Sequence, residues 1–102
     1  MTASGTPTDA AHIAQKVTYR GHVQRVGFRY TVLDLARRHP AVTGYVGNLA
    51  DGDVEIVAEG PAHEVVALLD EIAQGPHARH IRQAHIETLA PPCGHRGFTV
   101  AY

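Results

Sequence analysis

The sequence predicts a single α+β domain in which an antiparallel sheet of four to five strands carries two helices on one face. Three observations lead to this prediction. Segments with alternating apolar side chains, typical of strands, occur on both sides of two segments with helical spacing. Glycine and proline separate these segments. The 102 residues are enough for one hydrophobic core but not for two.

The first strand and the first helix are predicted from a change of period. Apolar and polar side chains alternate over residues 16–23, which is typical of a strand with one buried face. The apolar side chains then recur at helical spacing until Pro40, which predicts a helix over residues 28–39. We expect residues 1–15 to form a flexible N-terminal tail and residues 16–102 to form the folded domain.

A hairpin and a second helix follow. Residues 42–49 and 53–59 predict two strands, and Asp51-Gly52 is a turn signal between them. Gly60-Pro61 opens the second helix, since proline suits a first helical turn, and Gly75-Pro76 ends it.

Weaker alternation over residues 81–88 and 97–102 predicts two last strands. The resulting order, β-α-β-β-α-β with one additional strand, is that of a ferredoxin-like α/β sandwich.

The composition limits the possible partners. The formal net charge is −1, so the chain has no overall attraction for nucleic acid or an anionic membrane, and any anion site must be local. Cys93 is the single cysteine, which fits a reducing compartment, and the N-terminus lacks the pattern of a signal peptide. We expect a cytoplasmic monomer with no nucleic-acid or membrane partner.

The segment GHVQRVGFR, residues 21–29, predicts an anion site between the first strand and the first helix. Gly21 and Gly27 permit backbone conformations that turn N–H groups towards one point, and the helix N-terminus adds its own. Arg29 lies in the first turn, where a cation is otherwise unfavourable, and can donate two hydrogen bonds to the same anion. The alternative is a tight turn followed by a solvated arginine. The spacing alone does not decide between them.

Asn48 lies near the end of the second predicted strand, just before the turn. Its carboxamide can both donate to and accept from a water molecule. An asparagine in this position more often satisfies the backbone of the turn itself, so both interpretations stay open.

Together the two segments resemble the acylphosphatase family. The first resembles the signature G-x-V-Q-G-V-x-F-R, matched by Gly21, Val23, Gln24, Val26, Phe28 and Arg29. The second resembles another family pattern, matched by Gly44, Tyr45, Val46, Asn48, Gly52, Val54 and Gly60. The likeness extends over residues 16–102 and includes the ending GFTVAY.

The resemblance implies hydrolysis of the carboxyl–phosphate bond of acyl phosphates, which gives a carboxylate and inorganic phosphate with no metal or organic cofactor. It implies that Arg29 and the loop before it bind the phosphoryl group and that Asn48 positions the attacking water. The loop residues are Val23, Gln24, Arg25, Val26, Gly27 and Phe28. Phosphoryl transfer needs mainly positioning and charge stabilisation, so no general base has to be assigned.

Two residues depart from the family pattern. Arg25 replaces a glycine and is either strained or a second guanidinium beside the anion. Gly47 replaces a longer side chain and weakens the strand beside Asn48. Both departures favour the alternative of a catalytically weak or inactive acylphosphatase-like domain that binds a phosphorylated metabolite or a protein partner. A domain like the N-terminal part of hydrogenase maturation proteins is less favoured, because the sequence ends at Tyr102.

Three further features are interpreted without a catalytic role. The strand at 53–59 has three acidic residues and no aromatic one, which argues against an RNA-binding sandwich. His77 and His80 have the spacing of some metal pairs but lack further ligands, and we interpret them as surface histidines. Arg37-Arg38-His39 is interpreted as the solvated C-terminus of the first helix.

Overall fold

The computed structural model describes residues 11–24, 27–90 and 94–101, and these contain five strands and two α-helices. The elements are β1 (His12–Gly21), α1 (Phe28–Ala36), β2 (Thr43–Asn48), β3 (Val54–Pro61), α2 (Ala62–Ala73), β4 (Ile81–Leu89) and β5 (Phe98–Ala101). The predicted β-α-β-β-α-β order with one additional strand is confirmed. Neither α1 nor α2, the two α-helices of the described segments, has the length and apolar character that crossing a membrane requires.

The five strands form one sheet in the order β4-β1-β3-β2-β5. The first three neighbouring pairs are antiparallel, as predicted, but β5 pairs with β2 in the parallel direction. The sheet is therefore mixed, which corrects the prediction of a wholly antiparallel one. The alternation of Phe98 and Val100 predicts a strand but carries no information about its partner or its direction.

Both helices pack on one face of the sheet. Helix α1 lies over β2 and β5, and α2 lies over β1 and β3, so the helices also contact each other. The register aligns Val17 with Ile56 and Ile56 with Val46, and all three side chains are buried under the helices. The opposite face of the sheet, which we call the open face, carries most of the polar side chains of the strands.

Strand β1 begins at His12, four residues before the predicted start. The register pairs His12 with Pro61 and Gln15 with Ala58, so residues 12–15 belong to the sheet and not to a tail. The sequence prediction missed this start because polar Gln15 interrupts the apolar face of Val17 and Tyr19, so the alternation begins only at Lys16. Residues 1–10 lie outside the described residues, so a flexible tail there stays a prediction.

Helix α1 ends at Ala36, three residues before the predicted end. The N–H of His39 donates to the carbonyl of Ala36, which continues the chain as a tighter turn, since a residue before proline avoids the α-helical conformation. Arg37 is exposed as predicted, but a solvated His39 is wrong. The His39 side chain is buried and its ring contacts the carboxylates of Glu64 and Glu71, both on α2. These two residues are far from His39 in the sequence, so local patterns do not indicate the contact.

Candidate anion-binding site

The sheet brings the two predicted site segments to one end of the fold. Tyr19 of β1 pairs with Val54 of β3, and Val54 pairs with Asn48 of β2. Paired residues point to the same face, so Asn48 lies on the helix side of the sheet, roughly 10 Å from Tyr19 across two strand spacings. The loop that follows β1 therefore starts at the same end of the sheet as Asn48.

Gly21, the last residue of β1, and Gly27, just before α1, have different roles at the two ends of this loop. A Cβ on Gly21 would lie 2.1 Å from the carbonyl oxygen of His80, so only glycine permits this close approach of two backbones. The neighbouring N–H of His22 donates to the same carbonyl at 3.0 Å. Gly27 has open space around it but adopts the left-handed conformation, with φ 77°, in which it starts α1.

Helix α1 begins without a side-chain cap among the described residues, and its first turn holds no acidic residue. Its first helical bond runs from the N–H of Thr31 to the carbonyl of Gly27 at 3.1 Å. The first turn of α1 precedes that bond, so its N–H groups point out of the helix end and not towards a carbonyl of an earlier helical turn. Together with the positive end of the helix dipole, they form a position suited to an anion.

Arg29 is the second residue of α1 and is half-buried. Its guanidinium carbon lies 5.9 Å from the centroid of the Tyr30 ring, a distance at which the ring face attracts a cation. The side chains of Val23 and Phe28 are almost completely buried in the core, so only their backbones could face an anion. Arg25 and Val26, the two remaining loop residues of the prediction, lie outside the described residues.

The side chain of Gln24 fastens the loop to the turn between β2 and β3. Its amide nitrogen donates to the carbonyl of Leu49 at 2.7 Å and to the carbonyl of Asp53 at 2.9 Å. Leu49 directly follows Asn48, so one side chain connects the two site segments. The sequence indicated Gln24 only as a phosphate ligand, because its partners lie 25 and 29 residues away.

The carboxamide of Asn48 is exposed, and among the described residues no hydrogen-bond partner for it is present. The turn is satisfied by other groups: the carboxylate of Asp51 accepts from the N–H of Asp53 at 3.0 Å, and the N–H of Leu49 donates to the carbonyl of Asp53 at 2.8 Å. A carboxamide that satisfies the local turn is thus not observed within those residues. Asn48 is placed to contact a small polar molecule from solvent.

Gly47 lies beside Asn48 but faces the opposite side of the sheet, because successive strand residues alternate. A Cβ on Gly47 would lie 3.2 Å from the Cβ and 3.2 Å from the carbonyl oxygen of Ala101, its partner on β5. The missing side chain therefore affects the packing of β5 on the open face and leaves no gap next to the Asn48 carboxamide.

A cluster of three aromatic rings, Tyr19, Phe28 and His77, lies at the start of α1. The centroid of the Phe28 ring lies 5.3 Å from that of Tyr19 and 5.9 Å from that of His77, and both ring pairs are in edge-to-face contact. The His77 ring nitrogen Nε2 is also 2.9 Å from the hydroxyl of Thr31. His77 is half-buried, so its interpretation as a surface histidine holds only in part, because its ring also packs against Phe28. Sequence reasoning missed this contact because 46 residues separate His77 from Thr31.

Burial favours the uncharged forms of Tyr19 and His77 in this cluster. It raises the pKa of the Tyr19 phenol far above its usual range, so the hydroxyl stays uncharged. Burial also lowers the pKa of His77, and the nearby charges of His80 and Arg79 lower it further. Throughout residues 11–24, 27–90 and 94–101, no group of three histidine, cysteine or acidic side chains is arranged to hold a metal ion.

Comparison with known proteins gives one consistent family. Residues 15–100 match the family model described as Acylphosphatase. The chain is 39% identical over 89 residues to an acylphosphatase from Thermotoga petrophila, covering 87% of this chain and 97% of that protein.

Solved structures agree with the sequence comparison. An acylphosphatase from Bacillus subtilis superimposes with a TM-score of 0.80 at 30% identity, covering 88% of this chain and 99% of the other. HypF from T. kodakarensis superimposes with a TM-score of 0.75 at 31% identity, but the matched part is only 12% of that chain. The fold is thus similar both to whole acylphosphatases and to one part of a much larger protein.

Proposed function

We propose that this chain, which belongs to the acylphosphatase family and hydrolyses the carboxyl–phosphate bond of acyl phosphates, binds the phosphoryl group with the 23–28 loop and Arg29. In the same proposal Asn48 positions the attacking water. The substrate class and the product, inorganic phosphate, follow from the family. The assignment of these residues is our own.

One observation carries the assignment of residues: the two hydrogen bonds from Gln24 to the turn that follows Asn48. They join the loop that leads to the uncapped start of α1 to the strand end that bears the exposed carboxamide. A phosphoryl group at the helix start and a water on Asn48 would then belong to a single site. Strands β1 and β2 would fix one end of each segment in the sheet, and the Gln24 side chain would connect the two segments.

The chemistry requires little more than this positioning. The N–H groups at the start of α1 and the guanidinium of Arg29 would stabilise the charge on the phosphoryl oxygens as the transition state forms. Water held by Asn48 would attack phosphorus, and the bond between phosphorus and the acyl oxygen would break. The electron pair stays on the departing carboxylate, and the water proton passes to the phosphate product. Because a carboxylate is a good leaving group, no side chain has to protonate it.

The test is hydrolysis of acetyl phosphate and benzoyl phosphate by the wild type and by Arg29→Ala and Asn48→Ala. Removing one donor from a transition-state site costs about a factor of 100 to 1,000 in kcat, so we expect losses of that order in both variants. Arg37→Ala, at the exposed residue that directly follows the same helix, and Gln74→Ala, an exposed carboxamide, serve as matched controls. Equal activity in Arg29→Ala and Arg37→Ala would contradict the assignment of Arg29.

The second candidate function is an acylphosphatase-like domain with weak or no turnover that binds a phosphorylated metabolite or a protein partner. The departures from the family pattern at Arg25 and Gly47 favour it. Titration with inorganic phosphate distinguishes the two candidates. Phosphate binding that Arg29→Ala abolishes, without hydrolysis of either substrate, would support the second candidate.

We further propose that the chain acts as a cytoplasmic monomer without a nucleic-acid or membrane partner. The open face of the sheet supports the nucleic-acid part, because Glu55 on this face accepts from the Tyr45 hydroxyl at 2.6 Å. Lys16 lies 4.0 Å from Glu55 and 3.7 Å from Glu87, so acidic groups surround the nearest cation. The single cysteine supports a reducing compartment. Light scattering of the purified chain would test the monomeric state.

A further inference from the structure

The start of α1 lacks the usual means of fixing a helix N-terminus. A serine, threonine, aspartate or asparagine cap accepts from the first N–H groups and so stabilises the helix end. Gly27 has no side chain for this purpose, and no side chain among the described residues caps the helix. A cap would also occupy the N–H groups that a phosphoryl group needs. The first turn of α1 must therefore be held from its side.

His77 supplies this lateral contact. It lies in the segment between α2 and β4 and reaches two residues of the first turn of α1. Its Nε2 atom is 2.9 Å from the Thr31 hydroxyl, and its ring meets the Phe28 ring at an interplanar angle of 80°. Phe28 is in turn fixed on its other side by Tyr19 of β1. Arg29 lies between the two residues that His77 contacts.

We propose that His77 is a positioning residue of the phosphate site, which holds the first turn of α1 so that its N–H groups and Arg29 keep their direction towards the phosphoryl group. This inference rests on the proposed function. His77 acts through Thr31 and Phe28 and needs no contact with the substrate. The fold thereby replaces a cap, which would block the anion position, by a side contact that leaves the position open.

The environment of His77 suits an uncharged ring. The groups that lower its pKa besides burial are His80, whose ring centroid is 6.0 Å away, and Arg79. Thr31 and Phe28, the contacts on α1, carry no charge. A neutral imidazole hydrogen-bonds to Thr31 through Nε2 and adds no cation that would compete with Arg29 for the phosphoryl group.

The experiment measures the inhibition constant of inorganic phosphate against acetyl phosphate hydrolysis at 25 °C. The variants are His77→Phe, which keeps a ring but has no nitrogen, Thr31→Val, which loses the hydroxyl at similar volume, and their combination. Loss of one hydrogen bond corresponds to a factor of about five in binding. We expect each single variant to raise the inhibition constant by about that factor. The double variant should be no worse than either single one, because the same interaction is removed.

A rescue and a control separate positioning from general stability. His77→Gln places a carboxamide near the position of Nε2, so it can replace the hydrogen bond to Thr31. Its inhibition constant should therefore stay within about twofold of the wild-type value, well below the rise of about fivefold expected when the hydrogen bond is lost. His39→Phe, at the other end of α1, should lower the stability and leave the inhibition constant unchanged. Three outcomes would each overturn the inference: additive effects of His77→Phe and Thr31→Val on the inhibition constant, a wild-type inhibition constant in His77→Phe, or an equal rise of the inhibition constant in His39→Phe.

The inference and the proposed function fail in different ways. A wild-type protein that neither hydrolyses acetyl phosphate nor binds phosphate would refute the proposed function, and the inference with it. Normal hydrolysis by the wild type, combined with inhibition constants that do not respond to His77 or Thr31, would refute the inference alone.

Discussion

The contact of His39 with two carboxylates makes the stability of the fold depend on pH. His39 is only 8% exposed, with Nδ1 2.6 Å from a Glu64 oxygen and Nε2 3.0 Å from a Glu71 oxygen. Both ring nitrogens must carry a proton to donate to both carboxylates, so the arrangement stabilises the imidazolium. The hydrogen bond to Glu64, followed by the one to Glu71, raises the pKa of His39 although burial opposes the shift.

The perturbation is His39→Phe, which keeps a ring and removes both donors. A hydrogen bond to a charged group contributes about 1.5–3 kcal/mol when well buried. The side chains of Glu64 and Glu71 are 31% and 37% exposed, so solvent screening reduces each contribution to about 1 kcal/mol. We expect the free energy of unfolding of the variant to be lower by about 2 kcal/mol at pH 5.5, which corresponds to a fall in Tm of about 10 °C for a domain of this size.

The sign of the pH dependence follows from the raised pKa. Stabilisation by His39 is fully present below the unfolded pKa of 6.5 and is lost as the pH rises through the higher folded value. The measurement is urea unfolding, followed by circular dichroism at several pH values between 5.5 and 9. The free energy of unfolding of the variant should approach that of the wild type as the pH rises.

The control for this prediction is His63→Phe, because His63 also lies near Glu64, with Nε2 3.6 Å from a Glu64 oxygen, but its side chain is 53% exposed. We expect less than about 0.5 kcal/mol from this change. A His39→Phe variant that is as stable as the wild type at pH 5.5, or a difference that stays constant up to pH 9, would refute the reasoning.

Two further predictions concern the loop contact of Gln24 and the packing of Gly47 against β5. Gln24→Met removes both hydrogen bonds between the loop and the turn, and should lower kcat/KM for acetyl phosphate about tenfold for a loss of about 1.4 kcal/mol; unchanged kinetics in the folded variant would show that the loop holds its position without Gln24. Gly47→Ala places a Cβ 3.2 Å from Ala101, so combining it with Ala101→Gly should recover stability, with a coupling of about 1 kcal/mol in a double-mutant cycle. Strict additivity of the two changes in urea unfolding would contradict this packing argument.

The sequence could predict much of the candidate site, because its key features are local. Gly27 indicated a loop that leads into a helix N-terminus, and its left-handed conformation at the start of α1 agrees with that interpretation. Gly21 instead ends β1, where a Cβ would meet the carbonyl oxygen of His80. The position of Asn48 at a strand end also follows from local patterns. The roles of Arg29 and Asn48 remain proposals. The resemblance to the family that comparison later supported rested on the same short segments.

The sequence could not predict which polar groups meet across the fold. The partners of Gln24, His39 and His77 lie 25 to 46 residues away, and their identity depends on strand register and on how the helices pack. A local pattern contains neither quantity. For this reason Gln24 was indicated only as a phosphate ligand, and the two histidines were interpreted as exposed.

The sequence by itself determined the type and order of the elements, because periodicity directly reflects which face of a strand or helix is buried. It also indicated the loop before α1 as a candidate anion site, since an arginine in a first helical turn is unfavourable unless an anion lies beside it. Only the tertiary structure decided the parallel pairing of β5, the early start of β1 and the contacts of Gln24 and His77. These depend on burial and hydrogen bonding between distant segments, which exist only once the chain has folded.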